Sequence, residues 1–167
     1  MIQMPWEQRT FRFDLPAGVF PGIVERLRGT PARITELLRD VPHNMLTRRI
    51  GGRWSANDHI GHLIDLDELE HTRLDEFLAG AATLSAADMG NRRTSNAGYN
   101  DVITATILDY FRARRTELVE RLENLTDAQI ERSAVHPRLQ VPMRVVDWAY
   151  FVAEHDDHHL ARIRELI

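Results

Sequence analysis

Near the C-terminal end of the chain, Trp148, Val152, His155, His159, Ile163 and Leu166 follow one another at intervals of three and four residues. That spacing lays them along one face of a helix, and the face is otherwise the apolar one that a helix turns toward a core. Two imidazoles therefore point where water does not reach. Burying such polar rings is unfavourable unless they find partners. Two histidines four residues apart can grip one metal ion, which supplies that partner. The segment HDDHH (155–159) also allows a pair three apart, His155 with His158. His158 falls off the apolar series, near the side carrying Asp147, Arg162 and Glu165, so the His155/His159 pair is preferred.

The rest of the chain reads as helices that could enclose such a face. Residues 1–20 are irregular, with Pro5, Pro16 and Gly18 as breakers. A first helix runs from about Pro21 to Arg39. Gly29 and Pro31 invite a break in it, with Thr30 capping a new start. Trp54-Ser55 opens the next helix, where Ser55 and Asp58 form a capping box and apolar positions from Ile60 to Leu78 carry it to Gly80. Residues 80–99 form a loop with at most a short helical turn. A third long helix spans about Val102 to Leu122, with Ile103, Ile107, Tyr110, Phe111, Leu118 and Leu122 on one side. Thr126 caps a short helix at 127–132, HPRLQVPMR (136–144) is extended or turn-like, and the last helix begins near Val145. No alternating strand pattern of useful length occurs. The expected fold is all-α, a four-helix bundle with extra helical turns in its loops, in one domain over residues 21–167.

A third ligand has to come from another helix. At about 100° per residue, His62 lies about 40° from Leu66 and about 20° from Leu69, facing with buried leucines. His59 lies at the edge of that face, and His71 comes two to three turns later beside Glu70 and Arg73. The expected metal ligands are thus His62, His155 and His159. Three neutral imidazoles leave a coordination position open, as catalytic sites do. Zinc and nickel both suit imidazole.

Other residues are candidates for substrate or supporting contacts. His59, Arg73 and His136 come first; His136 also reads as a loop histidine bonding backbone, and Arg73 as the partner of Glu70 or Asp109. Asp156 and Asp157 can accept a ligand's ring N–H, although Asp157 reads as solvent-facing. Asn57 and Asp58 either rim the pocket or form the first helical turn. Trp54 and Trp148 are expected in the core. Arg48-Arg49, Arg92-Arg93 and Arg112-Arg114-Arg115 read as solvated surface or local ion pairs.

Composition excludes whole classes. The chain of 167 residues has 21 Lys plus Arg against 25 Asp plus Glu, a net charge of -4 that argues against nucleic-acid binding. It has no cysteine, hence no thiolate ligand or nucleophile. No apolar run is long enough to span a bilayer, and no secretory signal opens the chain, so a cytoplasmic location is the default expectation. No serine–histidine–acid pattern, phosphate loop or dinucleotide fingerprint is present.

These residues resemble a known group. GGRWSANDHIGHLIDLDELEHTRLDEFLAG (51–80) and HPRLQVPMRVVDWAYFVAEHDDHHLARIREL (136–166) resemble the DinB/YfiT-like superfamily of metal-binding bundles. Its members carry a Trp-Ser pair opening the second helix, a His-Leu pair eight residues on, and HxxxH on the last helix. Here those are Trp54-Ser55, His62-Leu63 and His155/His159. AADMGNRR (86–93) and the HPR segment (136–138) resemble one subgroup, and the first 20 residues are not covered. The resemblance implies an up-down-down-up bundle, the same three ligands, one divalent transition metal and often a homodimer. It also implies a small-molecule substrate: several relatives are S-transferases or isomerases using low-molecular-weight thiols, and others are described as metal-dependent hydrolases. A non-catalytic, metal-stabilised module binding a small ligand or acting in stress response is the third reading.

Overall fold

A computed structural model describes residues 3–167; Met1 and Ile2 of the expected irregular N-terminal segment lie outside the described residues. The element order is α1 (Phe20–Leu38), α2 (His43–Leu46), α3 (Ala56–Ala79), α4 (Arg92–Asn96), α5 (Thr104–Glu123), α6 (Asp127–Ile130), β1 (Ser133–Val135), β2 (Pro142–Arg144) and α7 (Val145–Leu166). The four long helices form the expected bundle. α1 and α3 each pack against both α5 and α7, so α1 faces α3 across a diagonal. No helix among the described residues is long and apolar enough to cross a membrane.

Local signals set most boundaries. Ser55 caps α3 by accepting from the Asp58 backbone, and the Asp58 carboxylate reaches back to the Ser55 N–H. Gly80 ends that helix in the left-handed conformation, at φ 75°. Thr126 caps α6 in the same way, with Gln129 returning the bond. The break invited at Pro31 does not occur: α1 runs through it. Pro31 removes the donor for the Leu27 carbonyl, and Arg115 Nη1 of α5 reaches that carbonyl instead, while the adjacent Thr30 donates its hydroxyl to Asp156 on α7. α5 starts at Thr104, later than expected, and leaves Ile103 and Tyr110 exposed rather than on the packed side. Two three-residue strands also form, too short to show as an alternating pattern in the sequence. They pair antiparallel, Ala134 opposite Met143, and residues 82–84 join their edge through Val135.

The apolar core is divided in two. One cluster gathers Phe20, Leu27, Phe77, Leu118, Met143 and Trp148. The other gathers Ile34, Ile60, Leu63, Ile107, Phe111 and Ile163. Between the helices a buried charge group ties all four together. Arg115 of α5 donates to Asp67 of α3 at 2.8 Å and to Asp156 of α7, and its Nη1 reaches the Leu27 carbonyl of α1. Arg115 is 2% exposed, which corrects its reading as solvated surface or a local pair; it lies in phase with Phe111, Leu118 and Leu122. Burial opposes its charge, but Asp156 and Asp67 outweigh that and raise its pKa further.

Candidate metal centre

α7 presents His155 and His159 one turn apart, with their Nε2 atoms 3.1 Å from each other. α3 brings His62 against both: its ring centroid lies 5.3 Å from that of His155 and 4.8 Å from that of His159. One ligating nitrogen from each of the three falls within 4.8 Å of the others. Two nitrogens held at 2.0–2.1 Å on a tetrahedral ion would stand about 3.3 Å apart, so the spacing suits one metal ion. Among the described residues this group consists of the three histidines alone.

Neighbouring side chains set which nitrogen is free in two of the rings, His62 and His159. Thr94 of α4 donates its hydroxyl to Asp65 at 2.7 Å, so its oxygen accepts from His62 Nδ1, 3.3 Å away. That leaves the His62 Nε2 lone pair for a metal. Asp65 is held in turn by the Tyr99 hydroxyl at 2.8 Å and by Arg93. Tyr99 lies against α3 where the helix has Gly61; a Cβ there would come 2.1 Å from the ring. The His159 Nδ1 lies 2.8 Å from His59 Nδ1. With His159 as donor, its Nε2 lone pair faces His155. Such outer contacts fix tautomer and ring orientation in metal sites.

Electrostatics agrees. Burial, then the His59 charge, pushes the His62 pKa down to about 3. Burial and the neighbouring rings hold His155 and His159 well below the usual histidine value. Burial brings His59 to about 4. All four rings are neutral near pH 7, the form that ligates.

A cavity of about 380 Å³ borders all three histidines. Leu63, Leu66, Phe151, Val152 and Trp6 give it apolar walls, and Arg73, His136 and Arg138 also line it. Arg73 bonds the Ser85 carbonyl at 3.0 Å and pairs with Glu70, as the local reading expected. His136 bonds backbone, accepting from Leu139 N–H at 3.2 Å, and still faces the cavity.

Some expectations are corrected and others hold. His158, off the apolar stripe, is nevertheless buried. The N-terminal segment covers it: Gln3 bonds its ring at 3.1 Å, and Trp6 packs on His155, His158 and Phe151. Asp156 binds Arg115 and Thr30 rather than a ligand histidine, and half-buried Asp157 pairs with Arg26 and Arg33. Trp148 is in the core, donating to Glu70, but Trp54 is only half-buried, its ring 4.8 Å from that of His62. Asn57 and Asp58 belong to the start of α3: Asn57 bonds the Tyr99 carbonyl, and Asp58 takes the Arg49 fork. His71 sits apart, beside Arg121. The sequence reading missed Thr94, Asp65 and Trp6. Thr94 beside the AADMGNRR segment was the available signal; Trp6 had none.

The pattern of the DinB superfamily matches residues 26–163. The chain belongs to the DinB superfamily. Its fold matches YfiT from Bacillus subtilis, described as a probable metal-dependent hydrolase with an unusual four-helix bundle topology, at a TM-score of 0.82 and 18% identity, over 95% of this chain and 91% of that one. A mycothiol-dependent maleylpyruvate isomerase matches at a TM-score of 0.69 and 10% identity, over 90% of this chain but 61% of that one. At these identities the likeness concerns the fold. No curated protein sequence matches the chain.

Proposed function

We propose that this DinB-superfamily chain is a metal-dependent enzyme that holds one divalent transition metal, zinc or nickel, through His62, His155 and His159. The best-supported reaction is transfer of a low-molecular-weight thiol onto a small electrophile. The observation that carries this reading is the convergence of three neutral imidazoles, with no carboxylate among them in the described residues, on a cavity large enough for a small ligand. A metal there supplies a Lewis acid that favours the anionic form of a bound thiol or water. The chain's own residues do the positioning. Thr94 and Asp65 hold the His62 ring, His59 holds that of His159, and Trp6 and Phe151 close apolar walls that exclude water from the reacting groups. Two arginines and a histidine at the cavity's edge orient the substrate.

The alternative is hydrolysis, favoured by the match to YfiT and its description. Incubating zinc- or nickel-loaded protein with a panel of cellular thiols and a chloro-aromatic separates the two. The proposal expects a thioether product that needs both thiol and metal. Absence of any thiol-dependent product across the panel sinks the transferase reading, and metal-dependent ester cleavage without thiol replaces it with the hydrolase.

A further inference from the structure

The charges lining the cavity are not all matched. Asp67 and Asp156 share Arg115, and Glu70 pairs with Arg73. Glu7 and Asp88, the latter paired with Arg92, line the cavity and are exposed. Arg138 is half-buried against the cavity and has no hydrogen bond or ion pair among the described residues.

Two more unused donors lie at the same end. His136 is 3% exposed. Because its Nδ1 accepts from Leu139, the proton sits on Nε2, and that N–H has no partner among the described residues. The ring is fixed in place: the His136 N–H bonds the Val141 carbonyl, the Gln140 N–H returns to the His136 carbonyl, and Phe151 packs edge-on at 5.3 Å. Arg73 is 4% exposed, and its bonds through Nε and Nη1 leave Nη2 without a partner. Both arginines are close enough to hold the His136 pKa down, after burial itself, to about 4. An imidazole N–H and donors of two guanidinium groups therefore line one cavity with no acceptor for them among the described residues. Donors that open onto a cavity are free for a bound ligand, and arginine forks match planar carboxylates.

We propose that Arg138, Arg73 and His136 Nε2–H form a carboxylate-binding subsite, so that the substrate is a compact organic monoanion with an apolar body. The carboxylate lies at the hairpin end of the cavity, and the apolar part lies along Leu63, Leu66 and Phe151 toward the three histidines. The lining acids Glu7, Asp67, Glu70, Asp88 and Asp156 outnumber the lining arginines Arg73, Arg115 and Arg138, so a second negative charge on the ligand is opposed, which favours a carboxylate over a phosphate dianion. This deepens the assignment of the cavity as the substrate site but does not depend on the metal.

The test is equilibrium binding of benzoate, benzamide and phenyl phosphate to the full chain, zinc-loaded and after chelator treatment. Benzoate is expected to bind at least about tenfold more tightly than its neutral amide in both forms, since a lost charged hydrogen bond corresponds to about that factor. In Arg138→Gln the difference is expected to shrink about tenfold while zinc content stays at the wild-type level. His136 ring resonances should shift with benzoate in wild type. Equal affinity for benzoate and benzamide, no change in Arg138→Gln, or no benzoate binding up to its solubility limit overturns the subsite. Tighter binding of phenyl phosphate than benzoate overturns the carboxylate assignment. Absence of zinc would defeat the metal-dependent reading while leaving this test intact.

Discussion

Two polar layers cross the bundle, and they are built on opposite principles. The Arg115 layer is closed: Arg115 bonds Asp67, Asp156 and the Leu27 carbonyl, and Thr30 supports Asp156. The histidine layer is open. Outer contacts from Thr94 and His59 occupy the Nδ1 atoms of His62 and His159, while the nitrogens that converge have only each other. A closed layer needs nothing further and specifies how the helices meet. An open layer carries the cost of burying polar rings without full satisfaction, and a ligand removes that cost.

Acid should separate the two layers most strongly. His59, His62, His136, His155, His158 and His159 all have pKa values depressed below 6.5 in the folded chain. Below about pH 6.5 the unfolded chain takes up protons that the folded chain refuses, so stability falls as pH drops toward about 4. Asp67 acts in the opposite sense. Burial, opposed by Arg115, raises it to about 6, so between about pH 6 and 4 the folded state binds its proton first. One carboxyl cannot offset six imidazoles. Denaturant unfolding of metal-free protein should show several kcal/mol lost between about pH 7 and pH 5. A flat or rising profile would mean that the histidine rings are not held neutral by burial.

Breaking the closed layer comes next. Arg115→Met leaves two buried carboxylates without their cation and should cost about 3–5 kcal/mol in the same assay. A loss below about 1 kcal/mol would show that the layer admits water. For the open layer, chelation should lower stability by about 2.7 kcal/mol relative to protein holding free metal at about 100 times its Kd. The same treatment should leave the His62→Ala variant unchanged. The smallest effect belongs to the outer contacts. Thr94→Val removes the acceptor of His62 Nδ1–H while Asp65 keeps Tyr99 and Arg93. Metal affinity measured by competition with a chromophoric chelator should fall about 10- to 100-fold, with the metal-free stability little changed. Unaltered affinity would make the His62–Thr94–Asp65 chain a packing feature only.

What the sequence disclosed was local and periodic. Helix phase placed His155 and His159 on the packed face and chose His62 over His59, and the Ser55/Asp58 box located the start of α3. What it hid was tertiary. Pro31 lies inside α1, where Arg115 of α5 reaches the Leu27 carbonyl that the proline leaves without its helical donor. His158 is buried by a segment more than 140 residues earlier in the chain. Arg115 shares the phase of its apolar neighbours, yet nothing local announces that Asp67 and Asp156 will meet it. Thr94 reaches His62 from a five-residue helix in a loop whose periodicity carried no information.

The central claim is that the open layer is a metal site, and metal stoichiometry tests it most directly. Protein purified without chelator and supplied with zinc or nickel is predicted to hold one equivalent by elemental analysis, and His62→Ala and His155→Ala to hold none while remaining folded. Wild-type protein that retains neither metal stoichiometrically would contradict the account.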